Sequence, residues 1–186
     1  ALIRSNGKLA MNLEEGDELV SVRRSDDDDD VVMVTEMGMA ARFSVADLRQ
    51  RSRMAGGGRG IRLDPEDRVV SMDIVIPEAK LFVVSRKGFG KLTAIEQYRK
   101  TRRGAKGVKT LKITEKTGPV AAAHLVLDAP EVMIVTEQGI IERLRMSEIP
   151  VKGRITQGVW IMRDKEKQDM TVATLTSIRT QTDQNK

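Results

Sequence analysis

Short apolar runs alternate with polar, glycine-bearing turns along this chain, on a period of about fifty residues. VVMVTEMGMAARF (31–43), LFVVSRKGFGKLT (81–93) and VMIVTEQGIIERL (132–144) share one pattern. Each is an apolar run, then a short turn ending in glycine, then a more polar run. That pattern predicts three β-hairpins, and the turn glycines Gly38, Gly88 and Gly139 suit the positive φ such turns often require.

The register continues beyond the hairpins. Ten residues after each turn glycine stands a large side chain, Leu48, Tyr98 and Ile149, and five further on an arginine, Arg53, Arg103 and Arg154. A second glycine, Gly60, Gly107 or Gly158, opens the predicted strands GIRL, GVKTLKI and GVWIM. Each unit closes on another apolar strand: RVVSMDIV (68–75), PVAAAHLV (119–126) and MTVATLTSI (170–178). KLAMNLEEGDELVSV (8–22) aligns only with the second half of the unit, over residues 59–73.

The expected fold is all-β and propeller-like, with about three and a half four-stranded blades. Residues 1–30 form the second half of one blade plus an acidic inter-blade loop; 31–80, 81–131 and 132–180 are blades; 181–186 is a polar, disordered tail. Propellers close with 4–8 blades, so the pattern predicts one incomplete domain, a piece of a larger ring.

Charge sharpens this picture. The chain holds 32 Lys and Arg against 27 Asp and Glu, but unevenly. Residues 1–30 carry four basic and nine acidic side chains, leaving 28 basic and 18 acidic for the remainder. A cationic body suits a polyanionic partner. With no cysteine, disulfides, thiolate zinc sites and cysteine nucleophiles are excluded. No apolar run approaches the ~20 residues of a membrane span, and residues 1–20 lack a signal-peptide core. No membrane partner and a cytosolic or nucleoid compartment are expected.

In order along the chain, GKLAMNLEEGDELVSV, VVMVTEMGMAARF, GGGRGIRLDPEDRVVSM, GFGKLTAIEQYRKTRRGAKGV, VMIVTEQGIIERLRMSEI and GRITQGVWIMRD resemble the C-terminal domain of the DNA gyrase A subunit. The resemblance implies a six-bladed β-pinwheel, whose blades exchange a strand with their neighbours, entered here in the third blade. It implies a non-catalytic module that binds double-stranded DNA non-specifically around a basic outer rim. Wrapping there presents a second segment in a positive crossing for negative supercoiling. Strand cleavage and ATP hydrolysis would lie elsewhere in an A2B2 heterotetramer, formed with the rest of the gyrase A protein and with the gyrase B protein. TRRGAKG (101–107) matches the family's Gln-Arg-Arg-Gly-Gly-Lys-Gly box at five of seven positions, as a degenerate repeat of that loop.

The most basic stretch, QYRKTRRGAKGVKTLK (97–112), carries seven cations and no acid. A single such loop reads first as a solvated turn. Recurrence alters that reading, because equivalent positions in successive blades face one rim. Arg53, Arg103 and Arg154 are expected to form an arc of phosphate ligands, thickened by Arg49, Arg51, Arg59, Arg99, Lys100, Arg102, Lys106 and Lys152. Glycines among them would let backbone N–H groups approach phosphates.

Other candidate chemistries fall away. Asp26–Asp30 lacks the spacing of a calcium loop and reads as a solvated linker. GFGKLT has Ser85 and Leu92 where a P-loop needs glycine and Ser or Thr. Tyr98 reads as a packed aromatic, His124 as a strand histidine and Trp160 as a core residue. No metal, cofactor or independent enzyme activity is expected. The alternatives are the related DNA-binding C-terminal domain of the A-type chain of topoisomerase IV and a propeller-type protein-interaction scaffold. Exposed blade edges also suggest a strand-exchanged homodimer.

Overall fold

The computed structural model describes residues 9–127, 129–162 and 171–178. The three predicted hairpins form as β1 (Asp30–Thr35) with β2 (Met39–Ser44), β4 (Lys80–Ser85) with β5 (Phe89–Ala94), and β8 (Glu131–Thr136) with β9 (Ile141–Arg145). Their turn glycines have φ of +75°, +75° and +78°. The predicted closing strands are β3 (Val69–Ile74), β7 (Val120–Val126) and β11 (Val172–Ile178), each antiparallel to the first strand of its own hairpin.

The outermost strands come from a different repeat. β6 (Val108–Lys109) pairs with β2, and β10 (Val159–Trp160) pairs with β5. Sheet one therefore runs β3-β1-β2-β6 and sheet two β7-β4-β5-β10, each taking its last strand from the next repeat. Among the described residues sheet three has three strands, β11-β8-β9. The tail 181–186 lies outside the described residues.

The second glycine of each repeat makes this exchange feasible. A Cβ on Gly107 would stand 2.2 Å from the Ala40 carbonyl oxygen, and one on Gly158 would stand 2.7 Å from that of Gly90. The crossing strand thus lies directly on its host sheet, where no side chain fits. Gly60 differs: GIRL, expected to open a strand, joins no ladder among the described residues.

Period-2 alternation sorts the core between the sheets. Val32 and Val34 of β1 pack with Leu81 and Val83 of β4, while Phe82 and Val84, on the opposite face of β4, pack with Val132 and Ile134 of β8. β4 is thus buried on both faces, which explains its unbroken apolar run LFVV. Each such side chain contributes about 1.5–3 kcal/mol on burial. β3, β7 and β11 pack side by side at the inner edge, leaving the crossing strands on the outside.

Candidate nucleic-acid interface

After each hairpin a 3-10 turn (Val45–Asp47, Ile95–Gln97, Met146–Glu148) redirects the chain toward the outer edge of the preceding sheet. The Thr101 amide donates to the Arg42 carbonyl at 2.8 Å, and the Lys152 amide to the Leu92 carbonyl at 2.8 Å. These bonds place Arg99, Lys100, Arg102, Arg103 and Lys106 along the outside of sheet one, and Lys152 and Arg154 along the outside of sheet two. Arg49, Arg51, Arg53 and Arg59 occupy the equivalent loop one repeat earlier. There Asn12 Nδ2 donates to the Met54 carbonyl at 3.2 Å.

The predicted cations divide by what they already hold. Arg49, Arg59, Arg99, Arg102 and Lys152 are exposed, with no side-chain hydrogen bond or ion pair among the described residues. Arg51 donates within its own loop, to the Gly56 carbonyl at 3.2 Å. Lys100 is paired with Asp30 and Lys106 with Asp64, both at 2.7 Å. Arg53, Arg103 and Arg154 each donate through Nη1 to a carbonyl of the preceding repeat: Leu9 at 3.2 Å, Arg59 at 3.0 Å and Lys109 at 2.9 Å.

Two adjoining hollows open on this edge. Gly58, Arg59, Arg102, Arg103 and Gly104 line one; Asp47, Leu48, Arg49 and Arg51 line the other, with Gly58 and Arg103 common to both. The folded chain therefore brings loop 49–59 to loop 102–104, two segments that the sequence separates by more than forty residues. An open concavity walled by guanidinium groups matches the charge and planar geometry of phosphate oxygens.

Two charged groups are drawn inward. Lys91, on β5, is fully buried; its Nζ donates to the Gly153 and Arg154 carbonyls at 2.6 Å and to Thr156 Oγ1 at 3.1 Å. It lies beneath the segment that crosses to β10, where no phosphate can reach it. Burial, and then the Arg154 charge, pull its pKa down to about 8. Asp30, expected in a solvated run, opens β1 and is held by Arg42 at 2.9 Å as well as by Lys100. Burial acts to raise its pKa, but the bonds and charges of Lys100 and Arg42 prevail and hold it below the ordinary carboxylate value.

Tyr98 is buried, its hydroxyl 2.5 Å from Thr110 Oγ1, and burial raises its pKa. Trp160 stacks edge-on against Phe89, with ring centroids 5.7 Å apart. His124 has partners that sequence reading missed. Its Nδ1 lies 2.8 Å from Asp73 Oδ2 and its Nε2 lies 3.2 Å from Ser177 Oγ. Asp73 also accepts from Arg23 Nε and from the Leu125 amide, both at 2.9 Å. This order resembles a nucleophile triad. Its members, however, stand on β3, β7 and β11, in three different sheets, so the line ties the inner strands together. Among the described residues no group of three or more His, Asp or Glu could hold a metal ion, and no helix is long and apolar enough to cross a membrane.

The model of the DNA gyrase C-terminal domain, beta-propeller, matches residues 2–26, 29–76, 79–126 and 130–177. The chain is 41% identical over 172 residues to the DNA gyrase A subunit of Dehalogenimonas lykanthroporepellens, covering 89% of this chain and 21% of that protein. It is 36% identical over 168 residues to the DNA gyrase A subunit of Escherichia coli K12, covering 90% of this chain and 19% of the relative. The chain therefore spans about a fifth of the length of these relatives. Its fold matches a solved DNA gyrase A C-terminal domain (TM-score 0.84, 23% identity, 94% of this chain and 59% of the other). It matches the C-terminal domain of DNA topoisomerase IV equally well (TM-score 0.84, 22% identity, 91% and 52%).

Proposed function

The chain belongs to the DNA gyrase C-terminal β-propeller family, and from that membership we propose that it is a non-catalytic module that binds and wraps duplex DNA for a type II topoisomerase. The observation carrying this reading is the position of the exposed cations. Arg49 and Arg59, then Arg99 and Arg102, then Lys152 stand on equivalent loops of successive repeats, the second and third running along the outer edges of sheets one and two.

Smoothly bending 20–30 base pairs costs about 1–6 kcal/mol, which release of counterions from several phosphates offsets. No helix or ribbon projects from this edge to enter a groove among the described residues, so recognition rests on the backbone and on the deformability of the DNA. Double-stranded DNA is the partner in the nucleoid. The rest of the gyrase A protein and the gyrase B protein supply cleavage and ATP hydrolysis, and the negative sign of the supercoiling follows from the wrapped crossing. The fold does not separate this role from that of a topoisomerase IV domain; the 36–41% identity to gyrase A proteins favours gyrase. Among the described residues the three-stranded sheet leaves β9 at its edge, which suits strand exchange with a second copy.

Fluorescence anisotropy of labelled duplex over a salt series tests the reading. Log K should fall linearly with log[salt], by about 0.9 per phosphate neutralised. A variant carrying Arg49→Ala, Arg99→Ala, Arg102→Ala and Lys152→Ala should bind more weakly with a flatter slope. Binding that ignores salt, or a variant indistinguishable from the parent, would overturn it.

A further inference from the structure

We propose that the arginine repeated in every unit, Arg53, Arg103 and Arg154, is a positioning residue: it staples each rim loop to the preceding repeat and so sets the spacing of the neighbouring cations, instead of itself taking a phosphate. The inference rests on the DNA-binding reading above only for its functional consequence. The staple itself is a property of the free protein.

The same bond is made three times. In each case Nη1 donates to a main-chain carbonyl 44, 44 or 45 residues earlier, at 3.2, 3.0 and 2.9 Å. The three acceptors all lie within two residues of the second-glycine position of the preceding repeat: Leu9 aligns with Gly60, Arg59 precedes Gly60 and Lys109 follows Gly107 by two. A bond from the repeated arginine to that region of the preceding repeat, kept in three loops of different length and sequence, reflects a repeated constraint.

Arg103 lies where two repeats already meet. The guanidinium lies directly against Gly58, where a Cβ would stand 2.6 Å from Nη1 and 3.9 Å from Nη2. On either side the backbones are bonded in register: the Gly104 amide donates to the Gly60 carbonyl at 2.8 Å, and the Arg62 amide donates to the Ala105 carbonyl at 3.0 Å. Arg154 is held comparably. Its amide donates to Gln97 Oε1 at 3.3 Å, and its carbonyl accepts from the buried Lys91. The guanidinium of each is engaged within the protein, and Arg154 is held by its main chain as well, whereas Arg102, next to Arg103, is exposed.

Lysine keeps the charge but makes a poorer staple. Its ammonium can donate to a carbonyl, as Lys91 does, but its reach is shorter, on a flexible stem, and it lacks the planar guanidinium that lies against Gly58. A long-range phosphate contact, in contrast, needs only the charge. Arg103→Lys therefore separates the two roles.

The test compares the parent chain with Arg103→Lys, Arg103→Ala and Arg102→Ala, and repeats the lysine substitution at Arg53 as a second site. Amide hydrogen exchange is read without DNA. The salt slope and end-to-end energy transfer on a doubly labelled duplex are read with it. Both Arg103 variants should speed exchange at Gly104 and Arg62 by about tenfold, reduce the DNA bend and leave the salt slope unchanged. Arg102→Ala should do the reverse, lowering the slope by about 0.9 with exchange unaltered. If Arg103→Lys instead keeps parental exchange and bend while Arg103→Ala flattens the slope, the arginine is a phosphate ligand and the proposal fails. Should the parent show no salt-dependent binding, the DNA reading fails, and the exchange data still decide the staple.

Discussion

For single residues, context outweighs residue type. Lys91 and Lys152 are both lysines near one rim loop, yet Lys91 lies under it and Lys152 on it. Lys91 loses water on every side and receives three oxygen acceptors in exchange, and its pKa falls to about 8. A lysine in the unfolded chain titrates near ~10.4, so between these values the unfolded chain binds a proton that the folded chain has released. Lys91 therefore costs stability below pH 8, and the cost lifts as the pH climbs toward ~10.4. Urea unfolding at pH 7.5 and 9.5 should show the parent gaining about 2 kcal/mol relative to Lys91→Met over that interval. Parallel pH profiles for the two proteins would mean that Lys91 keeps an ordinary pKa. The same variant strips the Gly153 and Arg154 carbonyls of a donor, so exchange at the Thr156 amide should quicken.

Among the elements, the exchange of outer strands depends on glycine. Gly107 has φ of +80° and its missing Cβ would strike the Ala40 carbonyl; Gly139 has φ of +78° but open space; Gly57 has neither constraint. Alanine should therefore cost about 3 kcal/mol at Gly107, about 1 at Gly139 and close to nothing at Gly57. Thermal unfolding of the three variants checks that order, and a Gly107→Ala protein as stable as Gly57→Ala would refute the close docking of β6. The same elements show what the sequence made legible. The hairpins were readable because their pairing is local: VVMVT and MAARF face each other across a single glycine turn. The ownership of β6 and β10 was not, since Val108 bonds to Ala40 some seventy residues back and only two residues of each strand pair. The rim was legible as charge and as recurrence. The partners of that charge were not, because the Arg59 carbonyl that Arg103 meets is placed by docking between repeats, and a carbonyl leaves no signature in sequence.

Across the whole molecule, neighbouring repeats are joined at both edges, and the inner joint is polar. Ser21 Oγ donates to the Met72 carbonyl and Ser71 Oγ to the Ala123 carbonyl, while Arg23, Asp73, His124 and Ser177 form a continuous line that crosses β3, β7 and β11. Asp73 is its centre, with both carboxylate oxygens engaged. Burial works to raise its pKa; the bonds from His124 and the Leu125 amide, with the Arg23 contact, outweigh burial and hold it below the ordinary value. A carboxylate kept that low binds His124 as an acceptor, so Nδ1 carries the proton it donates. The sign of the linkage follows: the stabilisation is fully present above the unfolded carboxylate value of ~3.9 and is lost as the pH falls through the lower folded one. Asp73→Asn keeps the shape but removes the charge, and should cost about 2–3 kcal/mol at neutral pH, the worth of hydrogen bonds to a charged group. Because the line spans every described blade, the loss should loosen the Leu125 amide as well as lower the overall stability. Chemical unfolding of parent and variant from pH 7 to pH 2.5 should show the gap between them closing only below about pH 4. A gap that stays constant across that range would assign the stabilisation to packing around Asp73 and not to its charge, leaving the exchanged strands, the serine bonds and the apolar interleaving of β1, β4 and β8 to hold the blades together.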